Sequence, residues 1–249
     1  MKRLTLALFF LCRAGAFAFA AVPQTPEEIL HGANQAMDDG HYDQAAQGYR
    51  SLLEQGIENG AIHGNLGQAL FRQGKVGEAL FQYRLAARLK PRDPDLEANL
   101  AYLRARATDR IEPRHRNLAV RILQDLAGRM SRRENWFGFM GLWFGFWSVA
   151  AARLYWKKDL LRWSSWIVGA GLLLMAASLI QKEFLERPIG VVSPEAKVYS
   201  GPGEANVLLF ELHEGAEVSL LEREESGWVA MELADGKKGW VKKDHLVTN

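Results

Sequence analysis

At 249 residues the chain is long enough for one to three domains, and a formal charge of +2, from 31 Lys and Arg against 29 Asp and Glu, gives no electrostatic case for a nucleic-acid partner. The one cysteine, Cys12, falls in the first residues, so a chain cleaved after it has no disulfide, thiolate nucleophile or cysteine metal site. The six histidines have no metal-ligand spacing, and HExxH, GKS/GKT and GxSxG are absent, so no catalytic, metal or cofactor residues are nominated and the expectation is a protein that is not an enzyme.

Lys2 and Arg3, the apolar run 4–11 and Ala18-Phe19-Ala20 read as a secretory signal over residues 1–21. Arg13 interrupts the run, which leaves a retained amino-terminal anchor as the alternative. Either way the segment that follows is exported.

Shifting the chain by 34 residues superposes Gly40-His41-Tyr42 on Gly74-Lys75-Val76, Ala45 on Ala79 and Tyr49 on Tyr83. With Leu66, Gly67, Leu70, Ala86 and Pro91 at packing positions, this period resembles the tetratricopeptide (TPR) helical hairpin. The resemblance implies an α-helical TPR solenoid over 25–107, ending in a half repeat from Pro94 to about Ala107 with Asp93 as its cap. So few repeats are near the minimum for stability, and adjoining structure is expected to help. Within a basic connector, 108–134, apolar residues at helical spacing over 117–130 suggest a helix that caps the stack or lies on anionic lipid headgroups.

Such stacks hold peptides or partner helices in a concave surface. The repeat register turns Asn34, Asn65, Gln68, Phe71, Arg72, Asn99, Tyr102 and Arg106 toward it. Arg72 and Arg106 could fork onto an acidic peptide or a chain-terminal carboxylate, or stand as solvated arginines on a helix face. The lysines of a TPR carboxylate clamp are missing.

Two apolar segments, 135–156 and 163–181, approach the roughly 20 residues that cross about 30 Å of hydrocarbon, with Trp and Tyr near their ends. The short loop 157–162 between them, flanked by Arg153, is basic and suits the cytoplasmic side, which puts both long flanks on the outer side. Arg121, Arg129, Arg132 and Arg133 run against that tendency, since they precede the first span on the exported side. No ionisable residue stands in the middle of either segment, so no transport path is nominated.

Residues 188–249 change to short strands and turns. Val198-Tyr199-Ser200-Gly201-Pro202-Gly203, Leu212-His213-Glu214-Gly215-Ala216-Glu217-Val218, Gly227-Trp228-Val229 and Gly239-Trp240-Val241 resemble the bacterial SH3-like domain, a small β-barrel. That family binds cell-wall peptides or proteins. Tyr199, Trp228 and Trp240 are the groove candidates, with core filling the competing reading for Trp240 and Trp228. Glu222, Glu224 and Glu225 are placed in a solvated loop between strands.

The expected fold is thus multidomain: an α-helical TPR solenoid, a two-helix transmembrane hairpin and a small SH3-like β-barrel. In this order the parts resemble BatE-type proteins of bacterial aerotolerance operons. The resemblance implies a two-pass protein of the bacterial inner membrane, with both soluble parts facing the periplasm or cell exterior. It also implies a scaffold that works beside von Willebrand factor A domain membrane proteins and a MoxR-type ATPase. Wall tethering or stress sensing through peptidoglycan peptides is the alternative.

Overall fold

The computed structural model describes residues 25–111, 128–156, 159–180 and 187–248. Among them are seven α-helices and a seven-stranded antiparallel sheet, a mixed α and β architecture. The signal segment, most of the expected connector helix, and Lys157 and Lys158 of the basic loop lie outside the described residues.

Five helices come first: α1 (Pro26–Asp38), α2 (Tyr42–Glu54), α3 (Gly60–Arg72), α4 (Val76–Leu89) and α5 (Pro94–Arg106). Their starts are written in the sequence. Thr25 and Glu28 form a capping box, while Asn59 and Asp93 each accept backbone N–H bonds at the starts of α3 and α5. Their stops are just as local. Gly40, Gly56 and Gly74 take φ of 78°, 78° and 82°, and the next residue's N–H reaches back to Ala36, Leu52 or Leu70 at 2.8, 3.0 and 3.0 Å. Only glycine adopts this left-handed closure without strain.

Consecutive helices pack on one another from α1 to α5 around buried Tyr49, Leu52, Leu66, Leu70, Leu80 and Leu103. Gly67 is small because α4 crosses it closely: a Cβ there would lie 3.2 Å from the Tyr83 ring and 3.3 Å from the Ala79 carbonyl oxygen.

Two long helices follow, α6 (Arg132–Tyr155) and α7 (Asp159–Ile180), each long and apolar enough to cross a membrane. They form an antiparallel hairpin. Asn135 Nδ2 donates to Ser178 Oγ at 3.0 Å near one end, and an Arg153 Nη donates to Ser165 Oγ at 3.1 Å near the other. The outward rings are bare, with Phe137 78% and Trp166 76% exposed, an apolar surface that water does not favour.

The strands are β1 (Ile189–Val192), β2 (Glu195–Tyr199), β3 (Leu208–His213), β4 (Glu217–Glu225), β5 (Trp228–Glu232), β6 (Lys238–Lys242) and β7 (Leu246–Val247), in the order β3-β2-β6-β5-β4-β1-β7. Ser226 and Gly227, at φ of 50° and 80°, make the two-residue turn that joins β4 to β5. The inner face is Val192, Val198, Leu212, Val218, Met231 and Val241.

Strand alternation corrects two expectations. Gly239 and Val241 are buried, so Trp240 between them lies on the outer face and is only half-buried; Trp228 is half-buried too, and neither belongs to the core. Glu224 and Glu225 stand in β4 and not in a loop, with Glu224 paired to Lys243 Nζ at 2.9 Å.

The helical half and the sheet pack together, which the sequence did not announce. β1 and β7 lie on α4, and Val191 and Val247 enter the core of the helices. In return Ile111, just beyond α5, packs against the core of the sheet. Gly77, in the first turn of α4, allows this approach: a Cβ there would meet the Val192 carbonyl oxygen at 2.6 Å. Its N–H donates to Glu214 Oε1 at 3.0 Å, so a residue of the turn between β3 and β4 caps a helix whose N-cap, Lys75, makes no side-chain bond. Glu217 is gripped from both helices, by Arg84 Nε at 3.1 Å and Arg104 Nε at 2.6 Å.

Candidate functional site

The helices enclose a cavity of about 610 Å³ lined by Gln68, Phe71, Arg72, Tyr83, Ala98, Asn99, Tyr102 and Leu103. Two helical faces make it, because residues three and four apart in a helix share one side: Gln68, Phe71 and Arg72 on α3, then Asn99, Tyr102 and Leu103 on α5. Phe71 and Tyr102 meet edge to face with centroids 5.8 Å apart, and the Arg106 guanidinium lies 4.6 Å over the Tyr102 ring. Tyr83 of α4 also lines the cavity. Burial pushes its phenol up to about 12, against the opposing charge of Arg72, so it stays protonated.

Five of the eight residues assigned to this groove line the cavity: Gln68, Phe71, Arg72, Asn99 and Tyr102. Arg106 stands on its rim through Tyr102. Asn34 and Asn65 do not line it. The Tyr49 hydroxyl donates to Asn34 Oδ1 at 2.7 Å and also bonds the Asn65 side chain, so both amides serve an internal network across the first three helices. Desolvation raises the Tyr49 phenol even against the Asn65 bond. Sequence reading gave Tyr83, Ala98 and Leu103 no place in the groove. Tyr83 enters it from α4, since a ring packed between two helices also faces the space they leave.

A second cavity, about 210 Å³, sits on the sheet. Tyr199 and Trp228 meet there edge to face at 5.4 Å, with Glu195, Glu204, Glu211, Lys197 and Lys242 around them. Trp240 is not among its lining residues. His213, on the wall, is clasped by Asp109 from the strap that follows α5: its backbone N–H donates to Asp109 Oδ2 at 2.6 Å, and Nδ1 lies 3.0 Å from Oδ1. The hydrogen bond and charge of Asp109 raise the imidazole pKa, with Glu195 and Glu211 adding to the effect.

His63 is buried, its Nδ1 2.8 Å from Gln82 Oε1, a packing role. Among the described residues no three His, Cys, Asp or Glu gather as a metal site. The chain matches no family model, no curated protein and no solved structure.

Proposed function

We propose that the protein is a membrane-anchored, outward-facing interaction scaffold, in which TPR-like helices hold an extended segment of a partner protein and an SH3-like sheet offers a second contact. The observation that carries the reading is the groove. It joins an edge-to-face aromatic pair, two arginines and the polar side chains of Gln68 and Asn99 on the faces of α3 and α5, a lining suited to an extended chain bearing a carboxylate. The Arg106 guanidinium, stacked on Tyr102, is held ready to form a bidentate pair.

The packing of the sheet on α4 supports the topology. Flanks that precede and follow the two apolar helices can touch only if they lie on the same side, which a two-crossing hairpin provides. Placing both sites on one anchored body raises the effective concentration of weakly bound partners at the membrane. An aerotolerance-type envelope complex at the bacterial inner membrane, with von Willebrand factor A domain partners, is the setting this reading favours.

The test is crosslinked capture from native membranes with the full-length protein beside an Arg72→Glu/Arg106→Glu variant. Capture of von Willebrand factor A domain membrane proteins by the wild type and at least tenfold less by the variant, a loss of about 1.4 kcal/mol or more, is the expected result. A second reading, wall tethering, is favoured by the Tyr199 and Trp228 cavity alone. Wall peptides recovered equally from both proteins, with no partner protein, would transfer the function to the sheet.

A further inference from the structure

We propose that the basic collar at the mouth of α6 binds anionic phospholipid headgroups and seats the soluble body on the bilayer; the inference rests on the reading of α6 and α7 as membrane spans. The collar is built from two separated parts of the chain. Ser131 and Glu134 form a capping box that fixes the first turn of α6, and Glu134 also pairs with Arg92 in the loop between α4 and α5. That ion pair brings the loop against the start of the first apolar helix.

Lys90 from the loop, Arg129 from the approach to α6 and Arg133 from its first turn are all exposed. The Lys90 stem is laid across the backbone of α3, since a Cβ on Gly60 would come within 2.8 Å of its Cγ. The nearby acids already serve the helices. Glu134 holds Arg92 and the Ser131 N–H, Asp93 caps α5, and Asp95 and Glu97 lie in the first turn of α5, where its dipole favours them.

Leu89 and Met130, 39% and 41% exposed, sit beside these cations in sequence. Cations mixed with partly exposed aliphatic side chains suit the boundary between headgroups and acyl chains, where phosphate accepts from the cation and the hydrocarbon covers the exposed part. Arginine forks onto phosphate oxygens in two parallel bonds. This accounts for basic residues on a flank that the positive-inside tendency would leave without them.

The experiment reconstitutes the full-length protein into vesicles of phosphatidylcholine alone or mixed with phosphatidylglycerol, then counts retained lipids by native mass spectrometry. The wild type is compared with Lys90→Gln/Arg129→Gln/Arg133→Gln and with a Lys237→Gln/Lys238→Gln control at the sheet. The expected result is selective retention of phosphatidylglycerol by the wild type and the control, reduced about tenfold or more in the collar variant. Incorporation into both vesicles without lipid preference, or a preference the collar variant keeps, would overturn the proposal and leave the spans standing. Failure of the wild type to enter either vesicle would overturn the spanning reading and this inference with it. Circular dichroism and equal incorporation of the collar variant establish that it is folded; if it is not, Arg129→Gln/Arg133→Gln with Lys90 retained is scored by the same criteria.

Discussion

The helical half and the sheet solve the same problem differently. Among the described residues the sheet fills its interior from its own strands and borrows Ile111, whereas the helices draw Val191 and Val247 from beyond the two apolar helices to finish their core. A short stack of hairpins has too little neighbour surface to bury both of its ends. The strands β1 and β7 cover part of what five helices leave open, by packing on α4.

That contrast can be broken at Val191, which is fully buried within the helical core. Val191→Asp places an unpaired carboxylate there and should cost about 4 kcal/mol or more. Hydrogen exchange on the full-length protein in detergent should then show α3 to α5 losing protection more than β5 and β6. Equal loss in both halves would mean that the asymmetry is wrong.

A smaller effect is expected at Gly77. Its substitution by Ala drives a methyl onto the Val192 carbonyl, a backbone group that cannot step aside, at about 1 to 3 kcal/mol. Faster exchange at β1 and at the start of α4, with the remaining helices unchanged, is the expected pattern. Glu217→Gln sharpens the comparison further. Its carboxylate and both arginines are partly exposed, so screening limits the loss to about 1 kcal/mol, read as a shift in thermal unfolding that high salt should reduce in the wild type and not in the variant.

The smallest effect is set by pH. His213 has its pKa raised above the ordinary value near 6.5 by Asp109, so the clasp adds stability fully below that value and loses it as pH rises through the raised pKa. Asp109→Asn should flatten this dependence, measured as unfolding temperature between pH 5 and 8, and an unchanged slope would remove the clasp from the account.

Much of this was legible because it is local. Gly40 and Gly74 mark helix ends since a left-handed residue is required there, and Gly227 sits in the tight turn before Trp228 for the same reason. The groove was half legible. Helical spacing places Gln68, Phe71 and Arg72 on one side, but only the tertiary arrangement shows that Tyr49 has already engaged Asn34 and Asn65. Alternation around Gly239 could have moved Trp240 out of the core, and the bulky ring was given more weight than the strand period. The two-residue strand β7 carries no pattern. The interface was silent because its partners lie far apart in the chain, with Asp109 and His213 on either side of both apolar helices.

That separation also dictates an order of events during synthesis. Val191 and Val247 leave the ribosome only after α1 to α5 and both apolar helices have been made. At elongation rates of about 5 to 20 residues per second the delay between α5 and β1 is on the order of ten seconds. Through that interval the helices wait with an unfinished core, which closes only when the last quarter of the chain arrives.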